Sequence, residues 1–496
     1  MGGQNILTIF SAILTALVFP KVEWYLLSYI CLIPFIIDLE KSTSAKSAAF
    51  KGWLFGVVFM AWFHNWVFEL KAFSPAVAVL FLWGVFSAYL GLFYAGAAWV
   101  YHQFKSGLTR IFFLPACFVA AEWLRTLGPL GDSGGAMGYS QTHVFPILQW
   151  ASIIGVYGLS FLCIVANLLI LGLFSKTPKR YVVSLAGLCV IIFGIGALFL
   201  HNPDKTDTRV KVAVIQGNHA QNIKENNQNW DQIFQDYGML SCDLRAGKVD
   251  LMFWPETILP ILVLQNKVFT KKLCDLSHAT GYSLIFGIPI KDGRLYYNGL
   301  AAVTPAGLSR QVYKKNHLMP FGEFIPGRSL LGFFHITLPG TDYSPGHHDY
   351  TPLVTPVAKI GGGICLEANY PTAYRKSTVN GADILSIHAN NAWFFNGSAA
   401  PEMLQMGILR AVENNRFLVM AANTGISAVI DNKGRVVTRS QMNHTQVLRA
   451  DAKTGLPKSP YTAMGDVIVL ISGLLIGIAM VKTRPNAPQD HTLSPR

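Results

Sequence analysis

Three short stretches of the chain carry residue types that together could run covalent acyl chemistry. The first is Trp254–Pro255–Glu256–Thr257, a carboxylate at the end of an apolar run. The second, Tyr313 to Glu323, holds Lys314, Lys315 and Glu323 in an apolar setting. The third, Lys359 to Glu367, runs through three glycines into Cys365. A thiol at a strand-to-turn junction can be exposed on a rigid scaffold, the mechanical logic of a nucleophile elbow. It needs a base to take its proton, or a cation to favour the thiolate. The tetrahedral intermediate needs a positive donor for its oxyanion. Glu, Lys and Cys suffice for such a cycle, and the expectation is that no metal or organic cofactor takes part.

The elements that must position these groups follow from pattern. Arg209–Gln216, Asp250–Trp254, Tyr282–Ile288, Ala301–Thr304, Val357–Ile364 and Asp383–Ile387 read as buried strands. Ala428–Asp431 followed by Asn432–Lys433–Gly434 reads as a hairpin. Helical patterns lie between, over Trp230–Arg245, Lys267–Thr280 and Pro401–Asn414. The alternation predicts one layered α/β domain over 208–453. In the second stretch, strand alternation turns Lys314 and Lys315 to opposite faces, so only one can point at the thiol.

The rest of the chain is of another kind. Of 496 residues only 14% are charged and 51% are apolar, whereas a soluble protein carries about a quarter charged residues. The deficit points to solvation by a bilayer. The net charge of +13 does not indicate nucleic acid, because Lys and Arg collect in short loops between apolar runs. Eight runs approach the length of a spanning helix: Asn5–Pro20, Trp24–Leu39, Trp53–Leu70, Ala76–Tyr101, Ile111–Leu124, Val156–Ser175, Tyr181–Leu200 and Asp466–Val481. The first has neither a basic leader nor a small-residue cleavage site, so it reads as retained. Lys41, Lys46, Lys51, Lys105, Arg110, Lys176, Lys179, Arg180, Lys482 and Arg484 fall on one side of these runs. The excess of positive charge places both termini in the cytoplasm. The expected organisation is a seven-span membrane domain over 1–201, an extracytoplasmic domain over 208–453, a last span over 464–482 and a cytoplasmic tail over 483–496.

Within the membrane part, His64, Glu69, Glu122 and Arg125 are ionisable residues in or beside spans, where charge is costly unless it has a task or snorkels. Asp132–Tyr139 is a Gly-rich loop on the same outer side as the large domain. The apolar segments Ile258–Val268 and Ser329–Leu338 read either as lids dipping into the bilayer surface or as plain core. Cys31, Cys117, Cys163 and Cys189 lie in apolar runs, where a thiol acts as a small hydrophobe, and the seven cysteines show no metal spacing.

The order of motifs from Trp254–Thr257 through Lys315–Glu323 to Gly361–Glu367 resembles the carbon–nitrogen hydrolase (nitrilase-like) superfamily. Set between membrane spans, and with Val214–Asn218, Glu122–Arg125, Gly138–Gln141, Asn390–Phe394 and Asn423–Gly425 also agreeing, the whole chain is similar to the apolipoprotein N-acyltransferase family. The resemblance implies a multi-pass α-helical membrane domain of about eight spans joined to an α/β nitrilase-like αββα sandwich. It implies Glu256 as general base, Lys315 as oxyanion stabiliser and Cys365 as nucleophile, with Glu323 supporting the three and Glu367 and Trp393 lining the pocket. It further implies a membrane phospholipid as acyl donor, diacylglyceryl apolipoproteins as acceptors, a monomer, no cofactor, no nucleic acid, and a bacterial inner membrane location with the catalytic domain in the periplasm. Departures from the family pattern stand at Leu366, Glu225, Asn391, Phe395 and Gly131–Ala136; they touch substrate contacts rather than the three central residues. A membrane-tethered amidase hydrolysing a small amide is the first alternative. A transporter or lipid-binding scaffold with an inert enzyme domain is the second.

Overall fold

The computed structural model describes residues 5–72, 74–104, 110–174, 179–204, 206–242, 249–328, 342–394 and 397–482. The lid segment expected at Ser329–Leu338, the departure at Phe395 and the tail from 483 lie outside the described residues.

Residues 209–453 build two six-stranded sheets. The first has the order β12-β1-β2-β3-β4-β5, with β1 at Arg209–Gln216, β2 at Leu251–Phe253, β3 at Ser283–Asp292, β4 at Leu295–Thr304, β5 at Gly307–Lys314 and β12 at Gln446–Lys453. The second has the order β11-β10-β9-β8-β7-β6, with β6 at Leu353–Val354, β7 at Lys359–Ile364, β8 at Ile384–Ala389, β9 at Phe417–Ala422, β10 at Ala428–Ile430 and β11 at Val436–Arg439. Alternation along the strands assigns the faces. Val212, Val214, Phe253 and Ile285 share a core with Ile364, Ile384 and Ile387 of the second sheet. Their neighbours Ala213, Ile215, Met252 and Leu284 turn outward onto Ile233 and Phe234 of helix Trp230–Cys242 and Leu273 of helix Lys267–Thr280. Helix Ala399–Asn414 is buried along almost its whole length on the other side. The layers are therefore helix, sheet, sheet, helix, as expected for the sandwich.

Parallel pairing places the chemistry. β1, β2 and β3 run parallel, as do β7, β8 and β9, so the ends of β2, β7 and β8 deliver Glu256, Cys365 and Asn390 to one end of the sandwich. Gly362, at φ +129, is pressed so close to β8 that a Cβ would lie 2.0 Å from the Ser386 carbonyl oxygen. Any other residue there would part the two strands.

Among the described residues of the membrane part, four helices are long and apolar enough to cross a bilayer: Ala45–Ala72, Ala76–His102, Ala151–Leu173 and Val183–His201. Ile6–Leu17, Ile111–Leu124 and Val467–Val481 are apolar but shorter. The expectation of eight spans is thus met by length in four. The candidate at Trp24–Leu39 is not one helix: a 3-10 turn, Tyr25–Tyr29, gives way to an eight-residue helix, Ile33–Glu40, which starts around Pro34. Proline lacks the N–H that would continue a helix from the preceding turn.

Of the apolar segment Ile258–Val268, residues Ile258, Leu259 and Val263 are core against the first sheet, which favours the packing reading for its first half. All seven cysteines are free thiols.

Candidate active site

Glu256, Lys315 and Glu323 come from three segments and meet. Lys315 Nζ lies 2.8 Å from Glu323 Oε2 and 3.5 Å from Glu256 Oε1. Asn298, on β4, donates through one amide nitrogen to Glu256 Oε1 at 2.7 Å and to Glu323 Oε1 at 2.6 Å. Backbone N–H groups finish the set: Asn390 donates to Glu256 Oε2 at 2.8 Å and Met319 to Glu323 Oε2 at 2.7 Å. No local sequence pattern marks Asn298; the pairing of β4 between β3 and β5 places it beside the carboxylates.

The two lysines part as strand alternation requires. Lys314, at the end of β5, reaches outward to Asp292 at 2.7 Å and over the Tyr297 ring, while Lys315 is 1% exposed. Burial alone would depress the Lys315 ammonium, but the charges of Glu323 and then Glu256 overcome it and hold it well above the usual lysine range.

Cys365 follows β7 directly, half-buried and at φ +51. Thr257 at φ +44 and Phe321 at φ +61 stand next to Glu256 and near Glu323. Left-handed backbone at a β-branched threonine is a true outlier, and such strain persists where surrounding structure over-determines it. At Gly287 a Cβ would lie 2.6 Å from the Glu256 Cα, so β3 and the Glu256 turn touch backbone to backbone. The thiol feels Glu256, Lys315 and Glu323. Burial, then Glu256, push it up to about 12, against the pull of Lys315. The resting sulfur therefore keeps its proton until a base removes it.

Glu367 is wholly buried behind the elbow and is not among the residues that line the cavity beside Cys365. Its carboxylate accepts from the Ile364 N–H at 2.8 Å, the Asn316 N–H at 2.7 Å, the His317 N–H at 3.3 Å and the Tyr313 hydroxyl at 2.9 Å. It ties the lysine segment to the cysteine turn. Trp393 ends a 3-10 turn, Asn391–Trp393, half-buried; its neighbour Phe394, not Trp393, lines the cavity beside Cys365.

That cavity, about 60 Å³, lies between the two parts of the chain: Phe63, His64 and Trp66 face Cys365, Leu366 and Met403 across it. The Gly-rich loop holds the parts together. Asp132 accepts from Arg125 at 3.3 Å, from the Gly134 N–H at 2.9 Å and from Asn369 Nδ2 at 2.8 Å, and meets His64 Nε2 at 3.2 Å. The Tyr370 hydroxyl donates to the Gly131 carbonyl at 2.6 Å, and the Ser133 hydroxyl to that of Asn369. Glu122 accepts from the Met137 N–H at 2.9 Å. His64, Glu122 and Arg125 thus hold the loop, whose Gly131, Asp132 and Ser133 grip the segment that follows the nucleophile, and they do not snorkel.

A two-sheet sandwich with a carboxylate, an ammonium and a thiol at one end, docked on apolar helices, is a carbon–nitrogen hydrolase domain carried by a membrane part. Residues 211–456 match the carbon–nitrogen hydrolase family model, and residues 11–169 that of the apolipoprotein N-acyltransferase N-terminal domain. An apolipoprotein N-acyltransferase of Geobacter metallireducens is 31% identical over 93% of this chain and 92% of its own length. One of Vibrio vulnificus is 30% identical over 92% of each chain, and one of Coxiella burnetii 26% identical over 94% of this chain and 99% of its own. The chain belongs to the apolipoprotein N-acyltransferase family.

Proposed function

We propose that the chain transfers a fatty acyl group from a membrane phospholipid to the α-amino group of the diacylglyceryl-modified N-terminal cysteine of apolipoproteins, through a thioester on Cys365. The observation that carries this reading is the convergence of Glu256, Lys315 and Glu323 beside a thiol that opens onto a cavity faced by the apolar helices. A soluble amidase would have no use for that last wall.

In the first half-reaction Glu256 takes the Cys365 proton and the sulfur adds to the ester carbonyl. Lys315 carries the charge that develops on the oxygen. The C–O bond breaks, and the departing lysophospholipid oxygen takes the proton from Glu256. In the second, the neutral amine adds to the thioester carbon and the C–S bond breaks. Glu256 passes a proton from nitrogen to the departing sulfur. The scheme is ping-pong. The domain over 208–453 works on the outer face of a bacterial inner membrane, held by helices over 1–201 and 464–482.

The test is mass spectrometry of lipoprotein N-termini in cells lacking their own enzyme. Expression of this chain restores the third acyl chain; Cys365→Ser does not. Hydrolysis of small amides by the purified protein without acyl transfer would establish the amidase reading instead.

A further inference from the structure

The cavity beside Cys365 contains a carboxylate for which the scheme above has no use. Glu402, on helix Ala399–Asn414, lines it while only 5% exposed, and its Oε1 has no hydrogen-bond partner among the described residues. An unmatched buried acceptor costs desolvation that its own fold does not recover, so such an atom in a cavity asks for a donor from outside. The other acid of the lining, Asp132, is fully engaged by Arg125, His64, Gly134 and Asn369. No lysine or arginine lines the cavity among the described residues. Opposite stand Trp66 and Phe394, edge to face at 4.8 Å between centroids. Aromatic faces with one carboxylate suit a small cation. At about 60 Å³, the space holds a few water-sized groups, enough for an ammonium and its first carbons but not for an acyl chain.

Resting on the acyl-transfer reading, we propose that Glu402, with Trp66 and Phe394, receives the protonated amine of the acceptor and takes its first proton beside the Cys365 thioester. The ammonium N–H donates to the free Oε1. One proton moves from nitrogen to the carboxylate, the freed lone pair adds to the thioester carbon, and the C–N bond forms as the C–S bond breaks. The second amine proton leaves by Glu256 to sulfur, and the proton on Glu402 returns to water with the product. Burial first, then Asp132, push the Glu402 carboxyl up to about 8, against Ser398 and Trp66, which favour its ionised form. The empty group is therefore mostly a neutral acid at pH 7 and releases that proton to water as the ammonium docks; an α-amine ordinarily lies at about 8, so the later transfer from nitrogen to the carboxylate is nearly balanced.

The experiment uses the full chain in phospholipid-containing micelles and follows each half-reaction. Acylation is read as the mass of the Cys365 adduct. Deacylation is read with two probes: a diacylglyceryl peptide bearing a protonated α-amine, and hydroxylamine, a nucleophile neutral at pH 7. For Glu402→Gln the KM for the peptide rises roughly ten- to a hundredfold, the range set by one lost charge-assisted hydrogen bond, while the hydroxylamine rate keeps pace with wild type. Glu402→Asp recovers part of the loss. Equal loss with both probes, or an unchanged peptide KM, overturns the proposal. If Glu402→Gln fails to fold, Trp66→Leu serves: selective loss with the peptide supports the site, and parallel loss overturns it. Absence of any adduct on wild-type Cys365 sinks the acyl-transfer reading itself, and with it this inference; a wild-type adduct with unselective variants sinks the inference alone.

Discussion

Two walls flank the Cys365 sulfur, and they are built on opposite principles. On one, Glu256, Lys315, Glu323 and Asn298 bind one another and two backbone N–H groups close the remaining carboxylate positions, so that every charge is met and only the neutral Asn298 Oδ1 lacks a partner among the described residues. On the other, Glu402 keeps an oxygen free among methionines and aromatic rings. A network in which every charge is met is rigid, and rigidity is what a charge-stabilising site needs when the oxyanion forms. An unfinished one has affinity to offer. On the acyl-transfer reading, the difference separates the part of the site that serves the oxyanion in both half-reactions from the part that receives the acceptor amine.

The sharpest way to break this contrast is at the atom between the walls. Cys365→Ser should cut acyl transfer by at least about a thousandfold, since a weaker nucleophile stands in the same place. The measurement is formation of the covalent adduct from phospholipid; an adduct at wild-type level would move the nucleophile elsewhere.

On the closed wall, Lys315→Met should slow acylation by about a hundred- to a thousandfold, the usual consequence of losing an oxyanion donor. It also leaves Glu256 and Glu323 facing each other across a single amide, and one of them must then hold a proton. Stopped-time mass measurements of the adduct give the rate. Asn298→Leu should cost less, roughly ten- to a hundredfold, because two hydrogen bonds to carboxylates go but the ammonium stays. A full rate in Asn298→Leu would mean that the wall does not need its network.

The closed wall also predicts how the resting thiol behaves with pH. Burial and Glu256 push Cys365 up to about 12, so below that value its thiolate fraction rises about tenfold with each pH unit. Alkylation of free enzyme by a small haloacetamide should climb through pH 7 to 10 without a plateau. A plateau near neutral pH would show a thiolate already formed, with Lys315 rather than Glu256 deciding its charge.

How much of this could be read from the sequence divides along the same line. β1, β3 and β7 are legible because most of each is buried on both faces and apolar residues or glycines run through them with few interruptions. The helix at Lys267–Thr280 matched its expected bounds, aided by the Asn266 cap and by Gly281 at φ +79. Glu256, Lys315, Cys365 and Glu323 stand in motifs with fixed neighbours, so each could be named, and the expected face of Lys315 followed from alternation. Asn298, Glu402 and Asp132 could not be named as a set, because what brings them to the site is tertiary: pairing of β4, the roll of helix Ala399–Asn414 and the clamp of the Gly-rich loop. Apart from the Lys314 end of β5, neither β5 nor β9 nor β12 carries a clear strand signature. β5 alternates exposed and half-buried residues with Arg and Gln among them, and only Asn415, left-handed at φ +50, and Arg416 divide β9 from the helix before it. The candidate span at Trp24–Leu39 misled because apolar length was read without the break that Pro34 imposes.

The smallest effect belongs to a residue one position from the largest charge in the site. Lys314 sits at the outer end of β5, paired with an exposed Asp292, and contributes nothing to either wall. Exposed pairs of this kind hold little energy, so Lys314→Ala should leave acylation and transfer within about twofold of wild type. The value of the variant lies in its contrast with Lys315→Met. If removing either lysine silenced the enzyme equally, the strand would be presenting charge to the site as a diffuse field, and the closed wall would not be a set of placed bonds. If only Lys315 matters, the one-residue turn of the strand is what divides a solvated cation from an oxyanion donor.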